Sequence, residues 1–218
     1  MHGAITDEQA TQLKTVQRGG RHLLSLINDL LDLARIEAGK TELHPEALIC
    51  QELLEEVTTA LRPLAEEKGI TLQLTPPKTP LGLFRDRRTL MQILLNLANN
   101  AIKFTDTGTV KLELDQHIDA TQTTTCFAVI DTGRGITEKD QERLFTAFEQ
   151  IRTTGAPAAE GTGLGLHIAQ TLANLIHANI TCESTPGQGS TFALQITTPH
   201  ADSAPFNPNR NGDIHSAP

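Results

Sequence analysis

Apolar residues recur at alternating spacings of three and four through the first forty residues. Such spacing is the a/d pattern of a helix that packs along one face. Leu24 and Leu31 widen the seam into a face typical of a helical bundle. The pattern predicts one long helix from about residue 11 to residue 38, ending at Gly39. It fits either a core helix of its own domain or a helix that pairs with another segment or subunit. The seam consists of Leu13, Val16, Gly20, Leu23, Ile27, Leu30 and Ala34.

Beyond residue 41 the hydrophobic period switches between that of helices and that of strands. Helical patterns occur in ALICQELLEEVTTALRPLAEEKG, DRRTLMQILLNLANNAIKFT, EKDQERLFTAF and LGLHIAQTLANLIHA. Alternating patterns predict strands in ITLQLT, TGTVKLELDQH, TTTCFAVID, NITCEST and STFALQITT. Because helices and strand pairs follow each other without strict strand–helix–strand repetition, we expect an α+β sandwich with helices on one face of a mixed sheet.

The same patterns divide the chain into three parts. Residues 1–40 form the long helix, and residues 41–198 form the mixed domain. The segment 199–218 is rich in Pro, Asn and Ser with few apolar residues, so it is expected to be disordered.

Composition narrows the class of protein. The net charge of −8 argues against a nucleic-acid binder, which needs a basic face, and the chain has no Trp or Tyr for base stacking. No apolar run reaches the roughly 18 residues that span a bilayer, and the start MHGAITDEQ is too polar for a secretory signal. Three widely separated cysteines suit a reducing compartment. We therefore expect a cytoplasmic protein, or the cytoplasmic part of a larger one. This segment is expected to make no contact with a membrane.

Three glycine clusters are candidate ligand loops, namely DTGRGI, GTGLGL and PGQGSTF. Each alone is weak, because glycines occur in turns for many reasons. GTGLGL opens a predicted helix, where backbone N–H groups and the helix dipole favour an anion. Its spacing matches neither the P-loop nor the dinucleotide fingerprint, so a phosphate bound there would belong to another class of pocket.

Polar residues interrupt the apolar face of the helix that begins near Asp86. Asn96 and Asn100 project from one face a turn apart, and Lys103 follows on the same side. Amide oxygens suit Mg²⁺, and a lysine beside them can neutralise a phosphate. The alternative is that this is only the solvated edge of an amphipathic helix.

In their order along the chain, these stretches resemble the ATP-binding domain of sensor histidine kinases. NLANNAIKFT, DTGRGI, LFTAFEQ, GTGLGL and GQGSTF are similar to the family's N, G1, F, G2 and final glycine boxes. HLLSLINDLLDLARIEAGK resembles the second helix of the dimerisation and phosphotransfer hairpin, especially that of hybrid kinases. The resemblance covers about residues 11–198. It implies a Bergerat-type two-layer α/β sandwich preceded by one long helix.

The resemblance also implies roles for individual residues, with ATP and Mg²⁺ as cofactors. Asp131 would accept a hydrogen bond from the adenine amino group, supported by Thr191. Asn100 would bind Mg²⁺ with Asn96 as its partner, and Lys103 would face the phosphates. The remaining residues of the implied site lie in the glycine boxes and in the aromatic pair that anchors a lid over 149–160: Gly133, Gly135, Ile136, Phe145, Phe148, Arg152, Gly161, Thr162, Gly163, Leu164, Gly165 and Leu166.

The chemistry expected of this pocket follows from Asn96. Related ATP hydrolases place a glutamate there as a general base, which an amide cannot replace. A protein that positions Mg·ATP without a base of its own can still serve phosphoryl transfer if an acceptor arrives in line. The family's phosphorylated histidine lies in a segment resembling His-Glu-Leu-Arg-Thr-Pro, which this sequence lacks, and His22 is expected only to pack or face solvent.

We therefore expect a catalytic fragment that phosphorylates a histidine on a hairpin helix from another segment or chain. The expected partners are that hairpin and a response regulator or receiver domain, and a homodimer is expected in the full-length protein. Two alternatives remain: a nucleotide-binding regulatory module without phosphotransfer, and a true ATPase, which Asn96 disfavours.

Overall fold

The structure is a computed structural model that describes residues 6–149 and 162–200. Residues 201–218 of the predicted tail and 150–160 of the predicted lid, with Arg152, lie outside the described residues, as does Gly161 of the second glycine box. The first residue of the predicted tail, Pro199, ends a strand instead. The helices are α1 (Asp7–Glu37), α2 (Cys50–Lys68), α3 (Arg87–Phe104), α4 (Glu138–Gln141) and α5 (Gly165–Leu175). The strands are β1 (Pro45–Ile49), β2 (Thr71–Thr75), β3 (Gly82–Asp86), β4 (Thr109–Ile118), β5 (Gln122–Asp131), β6 (Ala178–Thr185) and β7 (Gly189–Pro199).

Five strands form a mixed sheet in the order β2-β4-β5-β7-β6. Strand β2 runs parallel to β4, and the other neighbours are antiparallel. A separate antiparallel pair joins β1 to β3. The predicted α+β class with a mixed sheet is confirmed.

The core lies between this sheet and the helices. Alternate residues of β4, β5 and β7 are buried, including Leu112, Phe127 and Leu194. Helix α3 supplies the largest buried face opposite them, and α2 and α5 flank it. Its fully buried residues are Leu90, Ile93, Leu94, Leu97, Ala98 and Ile102.

Side chains cap both ends of α3. The Asp86 carboxylate accepts a hydrogen bond from the Thr89 N–H at 2.7 Å. At the other end, the Lys68 ammonium donates to the carbonyl oxygens of Ile102, Lys103 and Thr105 at 2.8, 2.6 and 2.8 Å. The helix that carries the predicted amides is therefore fixed at both termini.

Helix α1 leaves most of its apolar seam uncovered. Leu13, Val16 and Leu23 are all more than half exposed, whereas Leu33 near the end of the helix is buried in the core. Helix α1 contacts α5. The exposed seam favours the interpretation that α1 pairs with another segment or subunit, because a core helix would bury this face.

Two local expectations differ from the structure. Strand β3 was not predicted, because it has only five residues and pairs with β1, some forty positions earlier. Helix α4 is four residues long rather than the whole of EKDQERLFTAF, because the chain continues in turns that bury Leu144. Across residues 6–149 and 162–200, each helix lacks the combination of length and apolar character that crossing a bilayer requires.

Candidate nucleotide-binding site

One cleft collects residues from the end of α3, the loop after β5, the start of α5 and the start of β7. Its polar lining contains Asn100, Asp131, Arg134 and Ser190. The rest of the lining is apolar or glycine: Ala101, Phe104, Gly135, Ile136, Leu144, Leu166 and Phe192. An apolar pocket with a few convergent polar groups is the usual form of a small-molecule site.

Asp131 ends β5 and is only 6% exposed, although its carboxylate lines the cleft. Its Oδ1 accepts the Gly133 N–H at 2.8 Å, and Ser190 donates to the carboxyl from its backbone and side chain. Burial raises the pKa of Asp131, and these hydrogen bonds oppose that rise. The carboxyl is thus held in one orientation, with capacity to accept a further donor from a ligand.

The loop that follows Asp131 lies too close to its neighbours for side chains at two positions. A Cβ at Gly133 would lie 2.5 Å from the Phe104 carbonyl oxygen. Gly135 has φ of 65°, and a Cβ there would overlap the Thr185 carbonyl. The next residue, Ile136, lines the cleft and donates its N–H to Ser184 Oγ at 2.8 Å.

Asn96 and Asn100 share one face of α3, and that face meets the start of α5 at Gly165. A Cβ at Gly165 would lie 3.8 Å from Asn100 Nδ2 and 4.0 Å from Asn96 Oδ1. With glycine at this position, no Cβ stands against either amide; Asn100 lines the cleft, and Asn96 lies one turn away outside its lining. Amide oxygens are hard ligands of the kind Mg²⁺ accepts alongside water and phosphate oxygens. The residues present therefore fit a magnesium–nucleotide group.

Two cations lie over the ring of Phe104 at the edge of the cleft. Lys103 Nζ and Arg134 Cζ are each 4.6 Å from the ring centroid. Lys103 was predicted from the sequence, but Arg134 was not. The available signal was its charge within DTGRGI, and its proximity to Phe104 is a tertiary contact that the sequence does not encode locally.

The second glycine box combines backbone geometry with side-chain contacts. Thr162 Oγ1 accepts the Leu164 N–H at 3.0 Å and donates to Asp29 Oδ2 on α1 at 3.1 Å. Gly163 has φ of 71° and accepts the Phe148 N–H at 3.1 Å. Leu164 is fully buried and so packs in the core, whereas Leu166 lines the cleft.

The two phenylalanines of the predicted aromatic pair lie in different surroundings. Phe145 packs against the core, and its carbonyl oxygen lies 2.9 Å from His167 Nδ1. Phe148 is 60% exposed with φ of 62°, and its backbone N–H donates to the Gly163 carbonyl oxygen. Residues 150–160 of the lid that the pair was predicted to anchor lie outside the described residues, so the anchoring role stays a prediction.

Thr191 is not among the residues that line the cleft. It pairs with Ile130, whereas Asp131 pairs with Ser190. Because side chains alternate along a strand, Thr191 points to the opposite face of β7 from the cleft-lining Ser190 and Phe192. The cleft therefore gives no support to the role predicted for Thr191, whereas Ser190, which was not predicted, supplies a hydroxyl to its lining.

Together the fold and the cleft define an α+β nucleotide-binding domain with a long helix attached. Family comparison agrees with that class. The chain belongs to the histidine kinase-, DNA gyrase B- and HSP90-like ATPase family, whose model matches residues 85–200. Residues 3–39 match the His Kinase A (phospho-acceptor) domain.

Individual relatives are sensor histidine kinases. The chain is 38% identical over 194 residues to the signal transduction histidine-protein kinase BarA of Escherichia coli, covering 88% of this chain and 21% of BarA. It is 40% identical over 197 residues to the circadian input-output histidine kinase CikA of Synechococcus elongatus, covering 89% and 26%. The chain therefore spans about a quarter or less of the length of these two relatives.

A solved structure shares the same fold. The crystal structure of full-length ShkA in complex with AMPPNP superposes with a TM-score of 0.72 at 35% identity, covering 88% of this chain and 39% of ShkA.

Proposed function

We propose that this chain is the Mg·ATP-binding catalytic part of a sensor histidine kinase. One observation carries the proposal: the buried Asp131 carboxylate lines the same cleft as Asn100, with Gly165 leaving the space before the amides open. The nucleotide complex of the similar ShkA structure supports it.

Each end of the cleft has a distinct task. Asp131 accepts a hydrogen bond from the adenine amino group, held in orientation by Gly133 and Ser190. Asn100 and Asn96 would hold the magnesium ion through their amide oxygens. Lys103 neutralises phosphate charge from the same helix. Bound Mg·ATP supplies the phosphoryl group to be transferred and, through the ion, offsets its charge.

The cleft positions the nucleotide without activating water. Asn96 lies where a hydrolase would need a carboxylate, and an amide cannot accept the proton of a water nucleophile. Phosphoryl transfer depends mainly on positioning and charge stabilisation. The acceptor in this proposal is a histidine on a hairpin helix from another segment or chain, followed by a response regulator or receiver domain.

Helix α1 is the part of this chain that would meet the hairpin. Its exposed seam and the match of residues 3–39 to the phospho-acceptor domain support pairing within a homodimer of the full-length protein. The free thiols of Cys50, Cys126 and Cys182 suit the cytoplasm, where we place the domain.

The test measures ATP binding and phosphate transfer separately. Calorimetry with Mg·ATP should show binding to the wild-type chain that Asp131→Asn weakens at least about tenfold, since a hydrogen bond to a charged group is lost. Asp115→Asn is the matched control, because Asp115 is exposed on β4. Incubation with γ-labelled ATP should then leave the chain unlabelled and label an added histidine-bearing hairpin.

Three results would contradict the proposal or a part of it. Failure of the wild-type chain to bind Mg·ATP would remove the nucleotide site. Binding without transfer to any hairpin offered, including those of the relatives, would favour the regulatory module. Rapid phosphate release by the chain alone would instead overturn the role given to Asn96.

A further inference from the structure

We propose that Arg134 is a phosphate-binding residue of this cleft, forming with Lys103 a pair of cations held on the Phe104 ring. The inference rests on the proposed nucleotide-binding function and deepens it. It adds a residue from the loop after β5 to a phosphate subsite otherwise built from α3 and α5.

The position of Arg134 is fixed by the packing of its loop. Close approach of Gly133 to the Phe104 carbonyl brings the loop against the end of α3. Arg134 follows immediately, lines the cleft and lies 4.6 Å from the Phe104 ring centroid. Lys103 Nζ lies at the same distance from the same ring. The guanidinium is therefore held at the cleft by both its backbone and its aromatic contact.

Positive charge is concentrated at this end of α3. The Lys68 ammonium binds three carbonyl oxygens of the last turn, so it is a third cation beside Lys103 and Arg134. Burial lowers the pKa of Lys68, Asp106 opposes this, and the nearby Arg134 charge adds to the lowering. The Asp106 carboxylate and the partial negative charge of the helix C-terminus, about half a unit, together offset only part of the three positive charges.

The chain as a whole carries a net charge of −8, so this cluster of positive charge is a local feature of the end of α3. Like charges held close together repel, and an anion bound between them removes that cost. A polyphosphate is the anion that the cleft is otherwise shaped to receive.

The chemistry of the guanidinium favours phosphate over the nucleoside. Its planar fork matches phosphate oxygens with two parallel hydrogen bonds. The base edge is already matched by Asp131 at the buried part of the cleft. A cation that only packed on Phe104 would contribute equally whether or not the ligand carried phosphate, and this difference can be measured.

The experiment compares adenosine, ADP and Mg·ATP binding to the wild-type chain, Arg134→Gln and Arg134→Lys. Arg62→Gln is the matched control, because Arg62 is exposed on α2 away from the cleft. We expect Arg134→Gln to weaken the binding of ADP and of Mg·ATP by about tenfold, as for loss of a charge-assisted hydrogen bond. Its affinity for adenosine should be unchanged. Arg134→Lys should weaken ADP by a smaller factor, about threefold, because it keeps the charge but not the fork. Arg62→Gln should bind all three ligands as the wild type does.

Each other result is decisive. If Arg134→Gln weakens the binding of adenosine and of ADP by the same factor, Arg134 is a packing residue and the proposal is overturned. Unchanged ADP affinity in this variant would overturn it as well. If the wild-type chain binds none of the three ligands, the proposed function itself fails. Thermal unfolding checks that each variant folds. If Arg134→Gln does not fold, an unchanged ratio of ADP to adenosine affinity in Arg134→Lys overturns the proposal.

Discussion

The Thr162 hydroxyl donates a hydrogen bond to Asp29 Oδ2 at 3.1 Å, joining residues 133 positions apart. The same hydroxyl accepts the Leu164 N–H at the start of α5. Leu33, one turn beyond Asp29, is buried in the core. A side-chain hydrogen bond therefore links α1 directly to the glycine loop before α5, so the position of the helix depends on the geometry of that loop.

A double-mutant cycle should detect this link. Asp29→Ala and Thr162→Val should each destabilise the chain in urea, with a coupling free energy of about 1 kcal/mol between them, typical of one partly buried hydrogen bond. Thr162→Ser keeps the hydroxyl and should stay within about 0.5 kcal/mol of the wild type. Strictly additive effects of the two substitutions would show that the contact does not contribute in solution.

The cap supplied by Lys68 should matter for stability. Lys68→Met keeps most of the side-chain length but removes the donors to three carbonyl groups at the end of α3. We expect a loss of about 1–3 kcal/mol in the free energy of unfolding, as for hydrogen bonds to a charged group. Lys78→Met, in the exposed loop before β3, is the control and should change stability by less than about 0.5 kcal/mol. Equal unfolding midpoints for the two variants would rule out the cap.

Much of the fold could be predicted because its elements carry strong local signals. Helix α3 and the strands β4 and β5 have long, regular hydrophobic periods, and Gly69 ends α2 in the left-handed conformation, as expected of a C-terminal glycine. Strand β3 lacks such a signal, since its pairing with β1 is formed only in the folded chain.

The site was predictable to the level of segments, and less so to single residues. Asp131 and Asn100 were assigned from different motifs, and the structure brings them to one cleft. Thr191 was predicted beside the cleft but lies on the other face of its strand, because a shift of one residue along a strand reverses the face. Arg134 was overlooked because its proximity to Phe104 depends on the approach of two distant segments.

Gly165 and Gly189 should respond to alanine in opposite ways. A Cβ at Gly165 meets the two amides at ordinary contact distance, and the residue lies in the first turn of α5. Gly165→Ala should therefore keep or raise stability, by up to about 1 kcal/mol from helix propensity. The methyl group would occupy the space before Asn96 and Asn100, so Mg·ATP affinity measured by calorimetry should fall at least about tenfold.

Gly189 is the position where alanine should lower the stability of the fold. Its φ is 102°, and a Cβ there would overlap the Asp131 carbonyl. Gly189→Ala should lose about 2 kcal/mol or more through backbone strain and overlap. Unchanged nucleotide affinity in Gly165→Ala would argue against the open space as the phosphate subsite.

Asp131→Asn should raise stability at neutral pH while it weakens nucleotide binding. Burial holds the native pKa of Asp131 above its usual 3.8, so the native state binds the proton more readily than the unfolded state. Wild-type stability is therefore reduced above the raised pKa, and this penalty disappears as the pH falls toward 3.8 and below. Urea unfolding at a series of pH values should show the advantage of the variant shrinking as the pH falls.

Asp119→Asn provides a control in which the change in stability at neutral pH should have the opposite sign. Backbone and side-chain hydrogen bonds from Thr121, with one from the Gln122 backbone, lower the pKa of Asp119 to about 2. Its contribution is present above 3.8 and lost as the pH falls toward 2. This variant should be less stable than the wild type at neutral pH, with the difference closing in acid. The same pH trend in both variants would contradict the assignment for Asp131.

Ser190 and Thr191 offer the sharpest test of the orientation of β7. Ser190→Ala removes a hydroxyl that bonds the Asp131 carboxyl and lies 3.0 Å from Ser184 Oγ, so the carboxyl loses one of its supports. We expect ATP affinity to fall by about threefold to tenfold, the effect of one net hydrogen bond. Thr191→Ala changes a side chain on the other face of the strand and should leave ATP affinity within about twofold, because it touches neither the carboxyl nor the cleft. Calorimetric titration with ATP shows which of the two variants loses more affinity. A larger loss of ATP affinity for Thr191→Ala would mean that β7 pairs with β5 one residue out of the register seen here.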